Sequence, residues 1–138
     1  GEKYLNKYFS TIKNNLKSNG VGAIQAIIIK NELFKRYRKN QDFIQKYIFP
    51  GGFLPSLESI KNYSKNTGLI LKSYHSYGNH YSKTLSIWRK NFINSWEQIS
   101  KQGFDNSFKK IWDFYFSYCE AGFNSKNIDL IQFSVRNK

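Results

Sequence analysis

Tyr4, Leu5, Tyr8, Phe9, Ile12 and Leu16 recur at spacings of three and four, with lysines and asparagines between them. That period predicts an amphipathic helix. Asn19-Gly20 predicts its end, because glycine is the usual residue just past a helix. Val21 to Ile29 is nearly all apolar and rich in β-branched side chains. This is the pattern of a strand buried on both faces in the centre of a parallel sheet. Residues 31–48 read as helix, charged at first and then aromatic at Phe43, Ile44, Tyr47 and Ile48, and Pro50-Gly51-Gly52 stops them. Ser56 is a predicted N-cap for a helix through about Tyr63, with Glu58 in its first turn. Thr67-Gly68 predicts a turn and Leu69 to Tyr77 a strand.

Tyr81, Leu85, Trp88, Phe92, Trp96 and Ile99 step by three or four and predict one long helix, ended at Gly103. A second such helix carries Phe108, Ile111, Trp112, Tyr115, Phe116, Cys119 and Phe123. Plain core packing accounts for most stripes of this kind. The alternative is that some of these rings line an apolar ligand cavity. Ile128 to Val135 reads as a last strand, with Ile128, Leu130, Gln132 and Ser134 sharing one face. A helix, a short glycine turn and a buried strand make half of a repeating α/β unit, so the fold class is α/β. Three strands are few for this much helix, and an unpartnered strand exposes a ladder of backbone groups. The chain starts at Gly1 and has no methionine in 138 residues. Together these features predict a piece of a longer protein, with further strands before Gly1.

Aromatic content of 18% supports a packed protein and argues against disorder. The net charge is +13, which suits an anionic partner such as an acidic lipid surface or nucleic acid. The lysines are scattered, and the richness in Lys, Asn, Ile, Phe and Tyr also fits codon bias. Both readings stay open. Cys119 is the only cysteine, so neither an internal disulfide nor a cysteine zinc cluster can form, and a reducing cytoplasm fits. The longest apolar run, Val21 to Ile29, is far below the roughly 20 residues of a spanning helix. Membrane contact is therefore expected to be peripheral. There is no glycine-rich phosphate loop, no metal-ligand pattern and no nucleophile elbow. His75 and His80, five apart, suit neither a helix face nor one side of a strand and read as solvated. Aromatics at helical spacing are expected to be buried, which speaks against a nucleic-acid stacking platform.

Four stretches add a resemblance: Asp42-Phe43-Ile44-Gln45-Lys46-Tyr47-Ile48-Phe49-Pro50-Gly51-Gly52-Phe53-Leu54-Pro55-Ser56, then His80-Tyr81 with Thr84-Leu85, then Trp88-Arg89-Lys90-Asn91-Phe92, then Tyr118-Cys119-Glu120-Ala121-Gly122-Phe123. In order and spacing they resemble the C-terminal part of the cyclopropane-fatty-acyl-phospholipid synthase and mycolic acid cyclopropane synthase family. The resemblance implies the C-terminal part of a class I S-adenosylmethionine-dependent methyltransferase, a Rossmann-like seven-stranded sheet. Residues 1–138 would be the last three strands with their helices, in one portion of a single domain. Val21 to Ile29 would be the fifth strand, and Leu69 to Tyr77 and Ile128 to Val135 the last two. The glycine-rich cofactor loop and the acidic ribose ligand would lie before Gly1.

The implied reaction transfers a methylene or methyl group from S-adenosylmethionine to the double bond of an unsaturated phospholipid acyl chain, forming a cyclopropane fatty acid. Aromatic faces would stabilise the developing carbocation while excluding water. The implied base is bicarbonate. Its holders map onto the Tyr81 phenol, a backbone group of Ile27, and Gln25, where the family commonly has histidine. An amide can donate to bicarbonate but cannot relay a proton. Gln25 therefore keeps open a sister C-methyltransferase that leaves a methyl or methylene branch without closing a ring. A catalytically dead, basic membrane-binding module is a further alternative. Phe49, Gly51 and Gly52 map onto the lipid entrance, with a purely structural turn as the equal alternative. The implied partner is a phospholipid membrane with unsaturated acyl chains, with no nucleic acid and no metal. A homodimer is left open. The implied location is cytoplasmic, peripheral at the inner membrane surface.

Overall fold

The structure is a computed structural model describing residues 1–138. The first apolar stretch forms a 3-10 turn, Glu2–Tyr4, running into α1, Leu5–Asn15. α1 ends where Leu16 turns extended and Asn19 takes a positive φ of 61°. Its last carbonyls are held from the far end of the chain. Asn137 Nδ2 donates to the Leu16 carbonyl at 2.7 Å and to the Lys13 carbonyl at 3.3 Å. The Lys13 ammonium in turn donates to Asn137 Oδ1.

Three strands form the sheet: β1, Val21–Ile29, β2, Leu69–Ser76, and β3, Ile128–Asn137. Their order is β1-β3-β2, and both pairings are antiparallel. β1 and β3 match from Val21 opposite Arg136 to Ile29 opposite Ile128. The β2–β3 register slips between Leu71 and Ser73, so Lys72 is the bulge residue.

Val21–Ile29 is a strand as expected, and the sheet ends in antiparallel pairings as expected; within residues 1–138 β1 has one neighbour, β3. The first half of β1 is largely open to solvent, and only Ile28 and Ile29 are fully buried. Its double-faced apolarity has a cause on each side. Ile24, Ala26 and Ile28 face the main core, while Ile27 and Ile29 face a cavity on the opposite side.

β3 supplies the alternation that divides the core. Ile131, Phe133 and Val135 point to one face, where they meet Phe9 of α1 and Ile60 of α4, Leu57–Asn66. Leu130 points to the other, against Leu85 of α5, Gly78–Asn94, and Phe116 and Phe123 of α7, Asn106–Asn124. The Ser56 cap is present as expected. Its Oγ accepts from the Ser59 amide, and the Ser59 Oγ accepts from the Ser56 amide.

Two predicted helices are broken. Residues 31–48 form α2, Asn31–Tyr37, and α3, Phe43–Tyr47. α3 starts afresh because Asp42 and Gln45 make a reciprocal capping box. The long aromatic helix ends at Asn94 and resumes as α6, Trp96–Ser100, with Ser95 between them in a non-helical conformation. Nor is the α5 stripe wholly buried, since Trp88 is 46% exposed, and α7 carries the exposed rings Phe114 and Tyr118 beside its stripe. The core is small, with 17 of 138 residues fully buried, and the helices carry more rings than it can cover.

Candidate functional site

A cavity of about 750 Å³ opens between β1, the α2–α3 segment and α7. The local sequence explains its floor and rim. The Gln45 side-chain Nε2 donates to the Gly52 carbonyl at 2.9 Å, and the Leu54 backbone amide donates to the Tyr37 hydroxyl at 3.1 Å. These bonds pull the Pro50-Gly51-Gly52 turn back across α3. Gly51 takes φ +80°, a conformation that favours glycine. A Cβ on Gly52 would stand 2.9 Å from the Phe49 carbonyl, so that position needs glycine for its own turn.

Of the residues singled out by resemblance, Tyr81, Ile27, Phe49 and Gly52 all line this cavity. Gly51 does not. It sits in a shallower depression on the outer side of the turn, with Arg38 and Lys39. Gln25 also stays out of the cavity. It is exposed on the open half of β1, and its Oε1 accepts from Gln132 Nε2 at 3.0 Å across the sheet. Two residues of strand carry Gln25 about 7 Å beyond Ile27. His75 and His80 are both exposed, His75 on β2 and His80 in the first turn of α5.

Tyr81 is set by the start of α5. Gly78 opens that helix, and its amide donates to Asp129 Oδ1 at 2.9 Å, while the Ser76 hydroxyl donates to Oδ2 at 2.6 Å. The Tyr81 ring lies edge-to-face with Phe123 at 5.1 Å and with Trp88 at 6.0 Å. Its hydroxyl has no hydrogen-bond partner in the chain. Burial, and then the neighbouring Cys119, raise its pKa, so the phenol is a standing donor at neutral pH.

The backbone of Ile27 is available too. Ile29 donates its amide to the Pro55 carbonyl at 3.0 Å, on the edge of β1 away from β3. Strand alternation turns the Ile27 amide and carbonyl to that same edge, away from β3.

Sequence reasoning did not assign Tyr37, Tyr115 or Tyr118 to a site, yet all three line the cavity. Tyr115, Tyr118, Cys119 and Gly122 fall at i, i+3, i+4 and i+7 on α7. The helical stripe was therefore the available signal, and it marks a cavity wall as well as a core face. Burial pushes the Tyr115 phenol up to about 12 and the Cys119 thiol up to about 11. Cys119 thus stays protonated and is no nucleophile. The arrangement offers an apolar slot with aromatic walls and donors at one end. It can hold a chain-like apolar ligand, stabilise a cation on it and exclude water.

Comparison with known proteins agrees with this layout. The family described as mycolic acid cyclopropane synthetase matches residues 1–133. The tuberculostearic acid methyltransferase UfaA1 of Mycobacterium tuberculosis is 37% identical over 94% of this chain and 30% of its own length. The cyclopropane-fatty-acyl-phospholipid synthase of Escherichia coli is 30% identical over 96% of this chain and 33% of its own. Among solved structures, the mycolic acid cyclopropane synthase CmaA1 complexed with SAH and CTAB superposes with a TM-score of 0.85 at 26% identity. It covers 99% of this chain and 51% of that one. The chain thus spans about a third of the curated relatives and half of the solved one. The sheet and helices described above are a part of the Rossmann-like methyltransferase fold that the solved relatives share.

Proposed function

The chain belongs to the mycolic acid cyclopropane synthetase family, and from that premise we propose that it serves S-adenosylmethionine-dependent transfer of a methylene group to the double bond of an unsaturated phospholipid acyl chain, closing a cyclopropane ring. Residues 1–138 would act as the C-terminal portion of one methyltransferase domain. The observation that carries this reading is the apolar cavity, with the Tyr81 hydroxyl and the backbone edge of Ile27 on its wall. Its volume lies within the roughly 300–1,000 Å³ of small-ligand sites.

The acyl chain enters past Phe49 and lies along Ile27, Ile29, Leu33 and the α7 stripe. The rings of Tyr37, Tyr81, Tyr115 and Tyr118 present faces or edges to it. A carbocation formed at the double bond is stabilised by ring faces and kept from water by the apolar walls. S-adenosylmethionine is the co-substrate that supplies the added carbon, and the relative solved with SAH supports that role. Bicarbonate, when bound, supplies the base for the proton lost from the added carbon. The residues fit it: the Tyr81 hydroxyl is a free, protonated donor, and the Ile27 amide is a second donor.

A second reading is favoured by Gln25. Its side chain is held by Gln132 outside the cavity, so it cannot receive a proton from the reacting carbon. A C-methyltransferase leaving a methylene branch loses its proton from the added carbon only after a hydride shift along the acyl chain, and a saturated methyl branch needs a separate hydride donor such as a reduced nicotinamide. A base set away from the position for ring closure favours the branch, and the 37% identical relative is named as a methyltransferase.

One experiment tests both. The full-length polypeptide carrying this sequence is incubated with methyl-labelled S-adenosylmethionine and vesicles of a monounsaturated phospholipid, and the released acyl chains are resolved by mass spectrometry and proton NMR. Cyclopropane resonances support the first reading and branched products the second. Absence of label in the acyl fraction would overturn both.

A further inference from the structure

α3 and α7 place a connected series of rings on the surface beside the cavity. Phe43 meets Phe114 edge-to-face at 4.7 Å and lies 5.4 Å from Tyr47 and 6.2 Å from Tyr118. Phe114 and Tyr118, one turn apart on α7, stack at 5.8 Å. Tyr47, Phe114 and Tyr118 are 53%, 51% and 42% exposed. Phe49, 52% exposed, adds a ring at the cavity rim, 6.0 Å from Tyr115. The ridge and the cavity are continuous, because Phe49 and Tyr118 belong to both. Contiguous exposed apolar surface of this kind marks a contact site, unlike single scattered rings.

Cations frame the ridge. The Lys46 ammonium lies 4.9 Å over the Tyr47 ring. Lys110 is exposed one turn before Phe114 on the same side of α7. Residues 31–53 hold Lys35, Arg36, Arg38, Lys39 and Lys46 against only Glu32 and Asp42. The nearby carboxylates are committed: Asp42 caps α3, and Asp113 pairs with Arg89 at 2.6 Å. Arg38 is likewise paired, with Glu2 at 2.8 Å, so the unpaired cations nearest the rings are Lys46 and Lys110.

Amphipathic rings flanked by lysines suit the headgroup layer of a bilayer, where ring bodies are buried and cationic tips meet phosphates. No helix is long and apolar enough to cross a membrane, so such contact is made by a surface. We propose that the ridge of Phe43, Tyr47, Phe114 and Tyr118, with Phe49 and the flanking Lys46 and Lys110, is the face that docks on an anionic lipid bilayer. The cavity mouth then opens toward the lipid. The proposal rests on the acyl-chain reading of the cavity. Docking by this face lets an acyl chain slide past Phe49 without crossing water.

The test is co-sedimentation of the full-length polypeptide carrying this sequence with vesicles of phosphatidylglycerol and phosphatidylcholine, and with pure phosphatidylcholine, at physiological salt. The chain should bind the anionic vesicles and be released as salt rises. Tyr47→Ser with Phe114→Ser, neither of which lines the cavity, should weaken binding at least about tenfold. Lys46→Gln and Lys110→Gln should each weaken it about fivefold. Circular dichroism and melting should stay as in the parent for each variant used. Tyr8→Ser, on α1 across the sheet, is the control and should leave binding unchanged. No vesicle binding, equal binding by the ridge variants, or an equal loss from Tyr8→Ser overturns the docking face. So does self-association that depends on the ridge in the absence of vesicle binding. Failure of the full-length polypeptide carrying this sequence to transfer label to the same lipid dispersed in detergent instead overturns the acyl-chain reading, whatever the vesicles show.

Discussion

Tyr81→Phe separates the packing of a ring from the chemistry of its oxygen. The ring contacts with Phe123 at 5.1 Å and Trp88 at 6.0 Å survive the change. The hydroxyl has no partner in the chain, and its pKa is raised chiefly by burial. Deleting it removes a desolvation cost and no hydrogen bond, so stability should change by no more than about 0.5 kcal/mol in either direction. Tyr81→Ala gives the contrast. It loses both ring contacts, and truncating this half-buried ring should cost about 1.5–3 kcal/mol, below the range of fully buried aromatics. Urea denaturation of the two variants measures these numbers. In the full-length polypeptide, a hydroxyl that holds the anionic base is worth about 2.7–4 kcal/mol at the proton-removal step, on the scale of an oxyanion-hole donor. Label transfer should therefore fall by about a hundredfold to a thousandfold in Tyr81→Phe if that step limits the rate. Ring product should drop relative to branched or hydrated side products. Added bicarbonate should restore part of the rate if the loss is one of affinity. Two results would refute the reasoning. Unchanged turnover with unchanged products would return Tyr81 to the core. A large loss of stability in Tyr81→Phe would mean that the hydroxyl has a structural partner.

Three further outcomes follow from the same geometry. Gly78→Ala places a Cβ 2.5 Å from Asp129 Oδ1 and should cost about 1–3 kcal/mol by disturbing the start of α5; a wild-type urea midpoint would show that the cap tolerates the shift. Asn137→Ala strips the carbonyls of Lys13 and Leu16 of their donor and should cost about 1–3 kcal/mol, read in the same assay. Alkaline pH should destabilise the fold. Burial raises Cys119 from 9 to about 11 and Tyr115 from 10 to about 12, so the folded state keeps protons that the unfolded chain gives up. The stabilising contribution is complete below pH 9 and lost as pH rises from there to about 12. Denaturation midpoints measured across that window should fall, Cys119→Ser should delay the onset, and a flat profile would exclude both groups as the cause.

The local elements were legible because local rules decide them. Ser56 before a helical period, Thr67-Gly68 as a turn and the stripe from Phe108 to Phe123 all stand where the pattern predicts them. The break between α2 and α3 was legible in principle from Asp42 and Gln45, a capping pair three residues apart. The interruption at Ser95 had no comparable signal, since Asn94-Ser95 is tolerated within many helices. The site was legible only through resemblance. Tyr81 and Ile27 lie 54 positions apart in the chain, and no local period links them.

The sequence by itself determined which segments are helix and strand, the aromatic surplus and the excess of cations. These depend on intrinsic preference and on side-chain period, which act within a few residues. Tertiary structure alone decided three things. It put β3 between β1 and β2, so that the first and the last strands of the chain pair antiparallel and the Ile27 backbone turns to the side away from β3. It turned half of the α7 stripe from core into the wall of a cavity, because the α2–α3 segment leans on α7 through Phe43 and leaves a gap behind it. It held Gln25 away from that cavity by pairing it with Gln132, a residue 107 positions distant. Apolar pattern says that a side chain leaves water. What replaces the water, a packed ring, a ligand slot or a lipid surface, depends on which distant segment arrives, and that is set by the packing of the whole chain.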